Sequence, residues 1–276
     1  MSFYPEYAEY ATETLAVAWR EAWPMLLGCI ACHALVSLSM RLAFGAWRHP
    51  KQGSVPEIVA YNTTVLVFNL LASYLGLKGW LDGSEAKVGG SEYERIYGRG
   101  ENVMFLIYTT AAFELYNTVV CTVVIPENRT AAFVGHHVCT LTLALMGVLR
   151  PFVNHYIYFF FGSSMISSAP LCASKIFDVL RSRFPAAEAW HGGSRVVFAV
   201  LFLIVRITIW PAYSSRYWRD TYAVYIAGKV NNPVTFYFTC FSNVFLTGLQ
   251  FVWGRLVIIG IYGKLFPQKP SEKKGA

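Results

Sequence analysis

A few ionisable and polar side chains lie inside otherwise apolar runs of this 276-residue chain. Glu114, His136, His137, Arg206 and Arg255 are the ionisable ones; Asn243 and Gln250 are neutral companions, and His33 and Arg41 occupy the first run. Such groups cost several kcal/mol in hydrocarbon unless they are paired or wetted, so each is a candidate for function. At about 1.5 Å per helical residue, Glu114 lies about 18 Å along its run and Arg206 about 15 Å along its own, counted from opposite faces. Both fall near the middle. An ion pair between them, with Asn243 alongside, is expected, either as a buried clip that fixes the helices or as part of a ligand site.

A second polar layer lies nearer one face. His136 and His137 sit about 6–8 Å deep, and Ser168 and Gln250 reach the same level by the same count. A histidine beside a serine can serve as general base. Adjacent helical residues point about 100° apart, so at most one of the two imidazoles faces a given pocket. The pair lacks the i, i+4 spacing of a two-histidine metal face, and no metal or cofactor is expected.

The fifth run joins an aromatic block, Tyr156-Ile157-Tyr158-Phe159-Phe160-Phe161, to a small-residue block from Gly162 through Ser163, Ser164, Ser167 and Ser168 to Pro170. Small residues allow close helix contact, and serine hydroxyls can serve backbone groups freed near a proline. The other reading is that the small residues, Ser164 and Ser168 among them, open a cavity for an acyl chain. Pro170 should kink or end the helix.

The elements that must position these groups follow from composition. Hydrophobic residues make up 55% of the chain and charged ones 14%, and the mean hydropathy is +0.41. A single soluble core of this length cannot cover that much apolar surface. Disorder, coiled coil, collagen and secreted disulfide scaffold are excluded by the same composition. The fold class is an all-α polytopic membrane protein. A span needs about 20 apolar residues. Seven runs qualify: 24–44, 58–77, 102–125, 132–149, 152–174, 196–213 and 234–262. Residues 7–20 are expected to form a short interfacial helix. The loop over 78–101 reads as a solvated excursion without chemistry. The net charge of +7 is spread between apolar runs, which fits a membrane protein and argues against nucleic-acid partners. The six cysteines lack metal-site spacing and read as small apolar fillers.

Topology is weakly set by charge, because Lys and Arg divide almost evenly between the two sides. The beginning of the chain carries Glu6, Glu9 and Glu13 rather than a basic segment, so the first span is expected to be retained as an anchor. Lys273-Lys274 resembles a dilysine retrieval signal, which points to the endoplasmic reticulum with a cytosolic tail and a lumenal N-terminus. The expected divisions are 1–23 (lumenal segment), 24–57 (first span and cytosolic loop), 58–263 (helical domain) and 264–276 (tail).

The motifs taken in order resemble the TLC domain family (TRAM, LAG1 and CLN8 homology). Phe113-Glu114-Leu115-Tyr116-Asn117 is similar to the family's aromatic-x-x-Tyr-Asp stretch, with Asn117 in place of Asp. His136-His137 resembles its double histidine, and Ser168-Ala169-Pro170-Leu171 its Ser-Ser/Thr-Pro-Phe stretch. Phe202 to Arg206 resembles Phe-x-x-x-Arg, and Leu249-Gln250-Phe251-Val252-Trp253 the Leu-Gln-x-x-Trp ending. The likeness covers roughly residues 58–263. It implies six helices around a central cavity, with one additional N-terminal span. The ceramide synthase branch carries His-Asp and further acids after the double histidine; residues 161–175 hold no acid here, which favours another branch.

The function implied is binding of a membrane lipid or acyl chain, in lipid homeostasis or sensing. Glu114, Asn117, Ser164, Ser168, Arg206, Asn243 and Gln250 would contact the lipid. An acyl-CoA-dependent N-acyltransferase, with His136 and His137 catalytic and acyl-CoA as substrate, is the enzymatic alternative. A membrane cargo or assembly factor is the third. Membrane lipids are the expected partners, with a homo-oligomer also open. Under the topology above, the sequons at Asn62 and Asn128 both stay unmodified. Glycosidase treatment of the protein from cells is therefore expected to leave its gel mobility unchanged.

Overall fold

The computed structural model describes residues 5–50, 52–81, 90–98, 100–125, 129–150 and 152–265. Asn128 and the Lys273-Lys274 pair lie outside the described residues. Seven helical stretches are long and apolar enough to cross a bilayer. The first is α1 (Pro5–Phe44), which continues through Pro24, so residues 7–20 are the start of this helix and not a separate element. Gly45 ends it at φ 70°, a left-handed position suited to glycine, and its N–H returns to Arg41 O (2.8 Å). A two-residue hairpin, β1 (Arg48–His49) with β2 (Gly53–Ser54), turns the chain into α2 (Val55–Leu81).

Further on, α3 (Glu92–Tyr97) lies at one end of the bundle. Ser91 and Glu94 cap it reciprocally. Part of the stretch expected as solvated loop is therefore docked. Ile96 is fully buried, and Arg95 Nη2 donates to Asp220 Oδ1 (2.7 Å). Tyr156 Oη also donates to Asp220, and Asn154 Nδ2 to Gly98 O. Asp220 thus ties α3 and the fifth span to the sixth.

The third and fourth spans end in α4 (Glu101–Val123) and α5 (Ala131–Leu149). The fifth is broken. It begins as α6 (Asn154–Ile157), widens to a π-helix over Tyr158–Gly162, tightens to a 3₁₀ turn over Ser163–Ser167 and resumes as α7 (Ala169–Leu180). Pro170 stands in the first turn of α7, where its missing N–H costs nothing, so it starts a helix here. The serines serve the irregular backbone. Ser163 Oγ donates to Tyr158 O (3.1 Å), Ser164 Oγ to Phe160 O (3.0 Å) and Ser167 Oγ to Ser164 O (2.9 Å).

The sixth span is α8 (Ala187–Phe202), a second π stretch over Leu203–Ile209, and α9 (Trp210–Ile226). Thr208 Oγ1 reaches Leu203 O across that stretch (3.2 Å). The seventh is α10 (Pro233–Leu265), which exposes Val234, Tyr237, Phe241 and Val244 along one face. Exposed leucines at 35, 38 and 42 give α1 a similar outer face. Such faces suit hydrocarbon rather than water.

Phe68 and Phe113 stack at 3.6 Å between α2 and α4. Nearby, α2 and the fifth span meet backbone to backbone. A Cβ on Gly162 would lie 2.5 Å from Gly76 Cα, one on Gly76 would overlap Ser163 N, and one on Gly79 would overlap the Tyr158 ring. The small-residue block is therefore a packing surface against α2. Gly76→Ala and Gly162→Ala are each expected to destabilise by about 1–3 kcal/mol, the usual range for overpacking. Thermal unfolding of the detergent-purified variants measures it.

Candidate functional site

Two of the bundle's polar assemblies and one of its cavities take up the predicted site residues. The first assembly begins on α4. Glu114 and Asn117 are three residues apart and share a helix face. Both are almost fully buried. His137 Nδ1 lies 2.8 Å from Glu114 Oε2, and Tyr61 Oη donates to Asn117 Oδ1 (2.6 Å). Asn117 Nδ2 lies 3.0 Å from His137 Nδ1 and 3.4 Å from its Nε2, so the imidazole meets both Glu114 and Asn117 on α4. Thus α2, α4 and α5 are tied by four buried side chains.

The second assembly joins α1 to α2 and α4. His33, Ser37 and Arg41 repeat every four residues and form one stripe on α1. They converge on Glu57 in the first turn of α2: His33 Nε2 at 2.9 Å, Ser37 Oγ at 2.6 Å and Arg41 Nη2 at 2.7 Å. A carboxylate is also favoured at that helix end. His33 Nδ1 faces Tyr116 Oη at 2.7 Å. Sequence reasoning listed two members of this stripe and missed Glu57. The i, i+4, i+8 spacing of 33, 37 and 41 was the available signal.

The cavity lies between α5, the irregular parts of the fifth and sixth spans, α9 and α10, and its volume is about 60 Å³. Its wall is mostly apolar, formed by Leu143, Met146, Phe160, Phe161, Met165 and Leu246 among others. The polar wall comes from His136 and Thr140 on α5, Arg206 on the π stretch, and Thr235, Thr239 and Asn243 on α10. These last three repeat every four residues, so α10 turns one hydrophilic stripe inward. Val153, the only described non-glycine with positive φ (55°), also lines the cavity.

Arg206 is 6% exposed, and its guanidinium is held on one side only. Nε donates to Ser167 Oγ (3.0 Å) and Nη2 to Ser168 Oγ (3.5 Å). The group lies 5.2 Å from the Trp210 ring centroid. Nη1 has no hydrogen bond among the described residues. The expected Glu114–Arg206 ion pair does not form, since no carboxylate of the described residues lies within 4.0 Å of Arg206. A similar count along the two runs did not imply a shared azimuth, and Glu114 is turned to His137.

The histidines divide as their 100° offset requires. His137 belongs to the Glu114 assembly, while His136 lines the cavity, packed edge-on against Trp253 (5.4 Å). The buried His136 Nδ1 has no partner among the described residues. Asn243 reaches the cavity, but its amide is committed to α9: it accepts from Trp218 Nε1 (2.9 Å) and donates to Ser214 Oγ (3.3 Å). Ser164 is fully buried, bonded to Phe160 O and away from the cavity wall. Gln250 is buried with Nε2 unpartnered and is also not on that wall, so the expected four-residue layer is split. Arg255 is exposed on α10. Ser167, which holds Arg206, was passed over in favour of Ser168.

Seven apolar spans, the last four of which line a small cavity with one cationic wall, define a multi-pass membrane protein with an interior pocket. The TLC domain profile matches residues 59–259, and the chain belongs to that family. Comparisons with curated proteins and with solved structures give no significant match. The matched segment begins within α2, so α1 and its Glu57 contacts lie outside it.

Removing one partner of a buried pair strands the other, at about 3–5 kcal/mol. His137→Ala is expected to lose stability on that scale, and His137→Ala with Glu114→Ala less than the sum of the single changes. Unfolding of the four proteins in a double-mutant cycle measures the coupling.

Proposed function

We propose that this TLC domain protein binds a lipid or acyl chain inside its helical bundle and acts in membrane lipid homeostasis or sensing. One observation carries the reading: an apolar cavity within the membrane-spanning bundle whose polar wall includes the incompletely satisfied Arg206, with His136 beside it. An amphiphile satisfies both halves of such a site, its chain against the phenylalanines and leucines and its head at the polar wall. The absence of acids over residues 161–175 supports a branch other than the ceramide synthases. The endoplasmic reticulum is the compartment proposed with it, on the Lys273-Lys274 pair.

A catalytic reading has its own support. His136 faces the cavity, its ring 4.9 Å from that of His137, and His137 is held by Glu114. In an acyl-CoA-dependent N-acyltransferase, His136 would be the base that reaches substrate, and His137 a positioning residue. Purified protein given sphingoid base and acyl-CoA would then form an amide that His136→Ala abolishes.

Native mass spectrometry of the protein in mild detergent is expected to show a bound lipid. Leu246→Trp, which fills the cavity from α10, should reduce its occupancy at least several-fold. A protein that carries no lipid, or a lipid that Leu246→Trp leaves in place, removes the cavity from the account.

A further inference from the structure

We infer that the cavity selects ligands bearing an anionic head, a carboxylate or a phosphate, seated on Arg206. The inference rests on the lipid-binding reading above and adds the charge of the ligand. A guanidinium in a low-dielectric interior needs a counter-charge as well as hydrogen bonds. Arg206 has hydroxyls from Ser167 and Ser168 and the face of Trp210, but no carboxylate among the described residues.

The bundle's inward carboxylates are already engaged. Glu114 is held by His137, Asp220 by Arg95 and Tyr156, Glu57 by Arg41 and His33, and Asp178 by Gln52 and Arg181. Among the described residues, then, no carboxylate supplies the counter-charge for Arg206, and a ligand can. Nη1 is the nitrogen left to receive it, and a planar guanidinium suits carboxylate and phosphate oxygens. His136 and Thr140 on the facing helix complete the polar wall.

A neutral alcohol or amine head would leave the charge of Arg206 unanswered. A second hollow, lined by Arg150, Asn231 and Asn232, shares Phe152 and Thr235 with the cavity. Thr239 and Asn243 continue that line along α10 toward the interior.

The test uses the full-length protein in detergent above neutral pH, with radiolabelled palmitate as probe. Hexadecanol, palmitate methyl ester and 1-palmitoyl lysophosphatidate are the competitors. An anionic head on Arg206 is expected to bind about tenfold or more tighter than the alcohol or ester of equal chain length. Arg206→Gln should abolish that preference. The tighter of palmitate and lysophosphatidate assigns the head as carboxylate or phosphate.

If hexadecanol and the ester match both acids on the wild-type protein, anion selectivity is overturned and lipid binding stands. If no chain binds at all, both readings fall. The wild-type comparison of acid with ester decides the question even if Arg206→Gln does not fold.

Discussion

Hydrocarbon offers no hydrogen-bond partner, so polar atoms facing the interior must be answered from within the chain or by a guest. That constraint orders this molecule. The irregular backbone of the fifth span is served by Ser163, Ser164 and Ser167, and the widened turn of the sixth by Thr208. Glu114, Glu57 and Asp220 each join different helices through cationic or neutral donors. The polar groups act as the connectors of the bundle. The apolar residues divide between core stacks such as Phe68 on Phe113 and lipid-facing surfaces such as the outer face of α10.

Against that background Arg206 is set apart by how it is carried. It sits in a π stretch, a geometry that recurs at functional sites because it displaces a side chain from the regular helical register. The neighbouring fifth span is irregular over Tyr158–Ser167 and presents Phe160, Phe161 and Met165 to the same hollow. Two distorted spans therefore face one cavity. The regular helices α5 and α10 close it with residues four apart, His136 and Thr140 on one, Thr235, Thr239 and Asn243 on the other.

The sequence carried the number of spans well, because an apolar run of about 20 residues has few soluble interpretations. It also pointed to Glu114, His137, Arg206, Asn243 and Gln250, which are buried, but equally to Arg255, which is exposed. It could not carry their azimuth. Residue counting put Glu114 and Arg206 at similar depths, so they were expected to meet; α4 turns Glu114 to His137 instead. Offset reasoning did separate His136 from His137, since the two are locked on one helix and their angle is known. Glu57 stayed hidden because it lies just outside the apolar run of α2, and only the stripe of His33, Ser37 and Arg41 points to it. The docking of α3 was invisible for a similar reason: Arg95 looks like a surface charge until Asp220, more than a hundred residues on, is seen to face it. The break in the fifth span was foreshadowed by its serines and Pro170, but not its π and 3₁₀ character.

The crossing of Gly76 with Gly162 bears on how firmly the cavity is framed. Elsewhere in the bundle, helices meet through side chains that give up rotamer freedom when they pack. Glycine has no rotamers to surrender, so this joint carries no side-chain entropy loss at either residue. The aromatic wall that follows from it, Phe160 and Phe161, is hung from a pivot with nothing to unfreeze, and warming the membrane gives that pivot no disordered side-chain state to escape into.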